Sequence, residues 1–151
     1  MRDIIHAFKY EGRRSLAEPL ARHMRVVLAD ILFDADYVVP VPLHPFRRLT
    51  RGFNQARDLA KRLGVPMLDA LWRAHFTHQQ MGLSAARRQR NLRHAFRLSP
   101  LLRISPAKRV IVIVDDVRTT GATLDACARV LLDGGAKEVR SEEHTSELQS
   151  H

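Results

Sequence analysis

The stretch Val110-Ile111-Val112-Ile113-Val114-Asp115-Asp116-Val117-Arg118-Thr119-Thr120-Gly121-Ala122-Thr123 decides the architecture of this 151-residue chain. Five β-branched residues with no polar alternation describe a strand covered on both faces, hence a central parallel strand. Two carboxylates close it, and a short run of small hydroxylated residues opens a helix. That helix is predicted over Ala122 to Asp133, with Leu124, Cys127 and Leu131 on one face and Gly134-Gly135 as its stop. Ligands in open parallel sheets bind beyond the carboxyl ends of strands. The amides and positive dipole end of a helix N-terminus suit a phosphate there. Thr119, Thr120, Gly121, Ala122 and Thr123 form the candidate cradle: the threonines add hydroxyl donors, and Gly121 lets the backbone approach closely. Asp115 and Asp116 beside such a cradle make sense when the ligand is a sugar phosphate, whose vicinal hydroxyls donate to carboxylates. Strand side chains alternate in direction, so the two acids are expected to have different tasks. A bare strand–turn–helix junction needs one capping Asp or Thr, not this whole set. A Walker A loop is excluded by the missing Gly-Lys-Ser/Thr ending.

Outward from this stretch, helix and strand alternate. Leu16, Leu20, Met24, Val27, Leu28, Ile31 and Leu32 recur at helical steps, with Ser15 and Glu18 as a candidate capping box. Tyr37 to Val41 reads as a short strand, and Asn54 to Leu63 as a helix stopped by Gly64. Pro66 to Trp72 reads as a further short strand, with Trp72 as a packing residue. Arg73 to Arg93 is polar with a weak core signal and reads as a long loop with some helix, a kind usually functional. The expected fold class is α/β, a parallel sheet flanked by helices on both faces and lacking its final strand.

Composition sets outer bounds. Apolar residues make up 45% and charged residues 27%, which describes a globular chain. The longest aliphatic run is Val110 to Val114, far short of the about 20 residues of a membrane span. With no signal-like apolar stretch at Met1 to His6, no membrane insertion and a cytoplasmic location are expected. One cysteine, Cys127, excludes an internal disulfide and a multi-cysteine zinc site, so no zinc is expected in this chain; Cys127 itself reads as core. His75 and His78 lack a third ligand, and no residue is assigned to a metal site. The net charge of +9 suggests a polyanionic partner, either a phosphorylated small molecule or nucleic acid.

The last twelve residues, Arg140 to His151, are polar, aperiodic and acidic, and resemble an in-frame translation of a sequencing adapter. The expected domain therefore covers residues 1–139 and is cut short at its carboxyl end, with 140–151 as a non-native tail. Gly135 to Val139 reads as the turn and start of another strand.

The acidic pair followed by Thr119-Thr120-Gly121-Ala122-Thr123 is similar to the phosphoribosyl diphosphate (PRPP) motif of type I phosphoribosyltransferases. Phe8-Lys9-Tyr10-Glu11-Gly12, Val39-Pro40-Val41-Pro42-Leu43-His44, Arg51-Gly52-Phe53-Asn54-Gln55-Ala56 and Arg87-Arg88-Gln89-Arg90-Asn91 with Ala95-Phe96 resemble the competence protein F (ComF/GntX-like) family. The resemblance runs over nearly all of residues 4–139 and implies a type I phosphoribosyltransferase fold. It implies PRPP or a related sugar phosphate as ligand, Mg²⁺ with PRPP as cofactor, and a role in DNA uptake in some bacteria. An N-terminal four-cysteine zinc module is common in that family, and the expected domain over residues 1–139 does not include it. By the same resemblance the loop Pro42 to Asn54 holds the pyrophosphate with Arg47, Arg48, Arg51 and Gly52. The segment Gln79 to Asn91 corresponds to the loop that closes over PRPP, with Gln80, Arg87 and Arg90 as candidates. Asp115 and Asp116 take the catalytic positions. The rival expectation is a non-catalytic accessory of DNA uptake that contacts single-stranded DNA or a helicase-like protein of the competence machinery.

Overall fold

A computed structural model describes residues 17–42, 55–73, 86–87, 94–115 and 121–141. Its elements are α1 (Ala17–Val27), α2 (Ala29–Leu32), β1 (Tyr37–Pro40), α3 (Gln55–Ala60), β2 (Leu71–Arg73), β3 (Phe96–Leu98), β4 (Val110–Val114), α4 (Gly121–Asp133) and β5 (Glu138–Arg140). β4 is buried along its whole length and lies between β1 and β5, parallel to both. Its register pairs Tyr37 with Ile111 through Pro40 with Val114 on one side, and Val110 with Glu138 through Val112 with Arg140 on the other. Asp36 pins the β1 side: its amide donates to the Val110 carbonyl at 2.8 Å, and its Oδ2 accepts from the Val110 amide at 2.8 Å. Residues 66–68 widen the sheet beyond β1, through a parallel bridge of Met67 to Val38 and two backbone hydrogen bonds of 2.9 Å.

The two-residue period of β4 divides the core. Ile111 and Ile113, with Val39 and Val139, pack against Leu124, Cys127 and Leu131 of α4 and against Phe96 of β3. Val112 and Val114, with Val38, pack against Leu20 and Ala21 of α1 and Leu59, Ala60 and Leu63 around α3. Helices therefore cover both faces of a parallel sheet, as expected from the unbroken apolar run. Glu18 of α1 ties that helix to the end of α3, with Arg25 at 3.3 Å and Arg62 at 3.6 Å, and Arg25 also donates to the Arg62 carbonyl.

The structure corrects three local expectations. The first helix is broken at Leu28, which takes the inward position itself, so Val27 is 59% exposed instead of lying on the buried face. Pro66 to Trp72 is not one strand, since the bridge at Met67 and β2 are separate pieces. Trp72 is 44% exposed because its neighbour Leu71 takes the inward side of a three-residue strand. At the carboxyl end, β5 runs through Arg140, one residue beyond Val139, and Ser141 is buried.

Candidate functional site

β4 is two-side buried, so its position and direction leave no freedom, and it carries Asp115 to the carboxyl edge of the sheet. Asp115 is half-buried there. By the alternation of Ile111 and Ile113 it continues the row that faces α4. α4 begins at Gly121, and Gly121, Ala122 and Thr123 at its start are half-buried. No acidic residue occupies that first turn, so no side-chain carboxylate of the turn competes for the dipole end of a thirteen-residue helix. Leu124, Cys127 and Leu131, set one turn apart, seat α4 on Ile111 and Ile113 and so fix where its amides stand.

The buried Cys127 of α4 feels two charged side chains from neighbouring strand ends. The Cys127 thiol is pushed well above its ordinary range, first by burial and then by the negative charge of Asp115, while the positive charge of Arg73 acts in the opposite direction. Asp115 at the end of β4 and Arg73 at the end of β2 thus both act on one buried point of α4. The Arg73 guanidinium lies 5.3 Å from the centroid of the Phe96 ring, its antiparallel cross-strand partner. Arg73 pairs with Phe96 at the end of the antiparallel pair β2–β3. Arg73 was not among the expected site residues. Its signal in the sequence was slight, a lone cation after Leu71-Trp72, and only the pairing with Phe96 gives it a place.

Of the other expected residues, Arg87 is exposed and helical. Asp116, Thr119, Thr120, Arg47, Arg48, Arg51, Gly52, Gln80 and Arg90 lie outside the described residues, as do His75 and His78. Asp115 lies just past the end of β4, and Gly121, Ala122 and Thr123 form the first turn of α4. Among the described residues no group of three His, Cys, Asp or Glu side chains could hold a metal, and no helix is long and apolar enough to cross a membrane.

Residues 49–142 match the family model described as phosphoribosyl transferase domain. The chain is 35% identical over 147 residues to competence protein F of Haemophilus influenzae, covering 91% of this chain and 64% of that protein. It is 36% identical over 150 residues to the DNA utilization protein YhgH of Escherichia coli K12, covering 91% and 63%. With competence protein ComFC of Streptococcus pneumoniae it shares 28% over 141 residues, 93% of this chain and 61% of that one. The chain therefore spans somewhat under two thirds of the length of these relatives, and the competence protein F resemblance is met along most of it. Among solved structures, the hypoxanthine-guanine phosphoribosyl transferase of L. donovani aligns with a TM-score of 0.50 at 17% identity, covering 85% of this chain and 70% of that one. The allosteric regulatory enzyme of purine biosynthesis also gives 0.50, at 20% identity, covering 83% and 25%. These two likenesses carry the fold.

Proposed function

We propose, because this chain belongs to the phosphoribosyl transferase domain family, that its carboxyl-edge crevice binds PRPP or ribose 5-phosphate with Mg²⁺ and passes the phosphoribosyl group to an acceptor nucleophile. One observation carries the reading. A strand buried along its whole length ends just before Asp115, and the helix that follows in the chain opens with Gly121, Ala122 and Thr123 and no acid in its first turn. The helix amides and the Thr123 hydroxyl donate to the 5-phosphate, each such charge-assisted bond being worth about 1.5–3 kcal/mol. Asp115 and Asp116 accept from the ribose hydroxyls and hold the ring. Bond breaking at the anomeric carbon releases pyrophosphate as the acceptor forms its bond to the same carbon and loses its proton to solvent. Positioning and charge stabilisation supply the rate, and no covalent enzyme intermediate is needed.

The donor set suits Mg²⁺ as such sites use it. One or two hard carboxylate oxygens from the protein complete a shell supplied mainly by substrate phosphates and water. Asp115, with Asp116 after it, would hold that ion, whose bound charge offsets that of the leaving pyrophosphate. Arg47, Arg48 and Arg51 with Gly52 are assigned to the pyrophosphate, and Gln80, Arg87 and Arg90 to the closing loop.

Calorimetric titration of PRPP with Mg²⁺ into wild type, Asp115→Asn and Thr123→Val tests this reading. Binding by wild type is expected, weakened about tenfold or more in each variant. A wild-type chain, folded by circular dichroism, that gives no heat with PRPP refutes it. A second reading is favoured by the relatives' names, competence protein and DNA utilization protein. In it the same domain serves DNA uptake by contacting single-stranded DNA or a protein of that machinery, with PRPP as a signal or unused. PRPP binding without turnover of any nucleophile offered would select it.

A further inference from the structure

The positive charge of this chain is segregated. From Ala70 to Val114, 45 consecutive residues carry nine Lys and Arg and no Asp or Glu, while the remainder balances sixteen cations against sixteen acids. The whole net charge of +9 thus resides in this stretch of sequence. Within the described part of this segment, the inward side chains are Phe96, Leu98 and Leu102, which pack on the core. Arg97 and Arg103 are exposed, as are Trp72, Leu101 and Ile104. Trp72 and Arg97 are direct cross-strand partners, and Leu101 follows Arg97 by four residues, within about 14 Å along even a fully extended chain.

Two features separate this face from an ordinary basic surface. Three of the six large apolar side chains exposed among the described residues are here, with Trp72 at 44%, Leu101 at 86% and Ile104 at 45%. Several cations elsewhere meet carboxylates: Arg57 reaches Asp69 at 2.6 Å, Arg25 and Arg62 reach Glu18, and Arg140 reaches Asp34 at 2.8 Å. Arg97 and Arg103 have no ion-pair partner among the described residues. The loop bearing Leu101 and Ile104 is also held in shape. Ser99 Oγ accepts from the Leu101 amide at 3.2 Å, Ser105 Oγ accepts from the Ala107 amide at 3.1 Å, and the Ser99 amide donates to the Ala70 carbonyl at 2.8 Å. Tryptophan and arginine are the residue types that dominate interface energetics, and exposed aliphatics beside them give nothing to a phosphate backbone. A basic segment with apolar anchors and no acid of its own is complementary to a segment that offers apolar side chains among carboxylates.

We propose that the outer face of β2–β3 and the loop 99–105 docks an acidic, amphipathic segment of a partner protein, with Trp72, Leu101 and Ile104 as anchors and Arg97 and Arg103 pairing with its carboxylates. The proposal is independent of the sugar-phosphate reading, whose residues it does not use. Trp72 is the one tryptophan of the chain and reports directly on the face. The probes are a short amphipathic peptide of Leu, Phe, Glu and Asp lacking Trp, a peptide of the same composition with its apolar spacing scrambled, and an oligo-dT strand. Each is titrated into the full-length chain while Trp72 emission and acrylamide quenching are followed. The amphipathic peptide is expected to shift the emission to the blue and protect Trp72, the scrambled one to bind about tenfold more weakly. Arg97→Glu and Arg103→Glu, both at exposed positions, are expected to weaken the peptide about tenfold each while leaving circular dichroism unchanged. The proposal is overturned if neither peptide protects Trp72. It is equally overturned if oligo-dT alone does so, or if the charge reversals leave peptide affinity intact.

Discussion

Replacing Arg140 by Ala tests how the last strand is fastened. The Arg140 side chain is 14% exposed, and its guanidinium makes five hydrogen bonds. Nη1 donates to the carbonyls of Ile31 at 3.1 Å and Phe33 at 2.9 Å and to Asp34 Oδ1 at 2.8 Å, while Nε and Nη2 donate to Glu138 at 2.8 and 3.1 Å. One side chain thereby closes the end of α2, the left-handed Asp34 at φ 58° and the edge strand β5 into a unit. On removal, water replaces the bonds to the exposed Phe33 carbonyl and to Asp34, whose side chain is 57% exposed, for about 0–1 kcal/mol. The part-buried Ile31 carbonyl and the 20% exposed Glu138 carboxylate lose partners that water replaces less well, for about 1–3 kcal/mol together. The expected loss is about 2–3 kcal/mol, or a fall in Tm of about 5–10 °C for a chain of this size. Urea unfolding followed by far-ultraviolet circular dichroism measures it. Lysine at 140 keeps the charge but not the fork, and is expected to restore less than half of the loss. The Arg140 hydrogen bond holds the Glu138 carboxyl below its ordinary range, an effect that burial partly opposes. Its contribution is therefore full above the unfolded pKa and lost as pH falls through the lower folded value, so wild-type stability should decline on acidification below about pH 4.3. That part of the decline should vanish in Arg140→Ala. A loss under about 0.5 kcal/mol, or an unchanged acid limb, refutes the fastening.

Two further outcomes follow from the packing. Gly135 has φ 96°, and a Cβ there would stand 3.2 Å from Ala107 Cβ, so Gly135→Ala is expected to cost about 1–3 kcal/mol in the same unfolding assay. The Cys127 thiol, fully buried on α4 and held protonated by burial and by Asp115, should resist Ellman's reagent at pH 8 in the folded chain and react at once in urea. Prompt labelling of the native chain would contradict the seating of α4 on Ile111 and Ile113.

Much of the fold around the candidate site was legible in the sequence because its grammar is local. A strand that must be buried on both faces announces itself by five β-branched residues in a row, and the acids and threonines after it occupy consecutive positions. The Leu124, Cys127 and Leu131 stripe likewise names the face of α4 that turns inward, and all three are buried. Short elements were harder, because a strand of three residues such as Leu71–Arg73 carries too little period to assign its sides. Trp72 shows the consequence: tryptophan is usually inside, and the pairing with Phe96 to Leu98 left this one half in solvent.

What residue order determines by itself is the parallel α/β class, the central position of Val110 to Val114, and the acidic-then-hydroxyl order of residues that follows, since each depends on neighbours along the chain. Only the tertiary structure decided that Arg73 and Asp115 act on the same buried thiol, and that Arg140 closes β5 onto α2 from 107 residues beyond Phe33. It likewise decided which side of the β2–β3 hairpin faces water. Those are encounters between distant segments. Their energies depend on through-space distance and burial, and no pattern within a window of sequence encodes either.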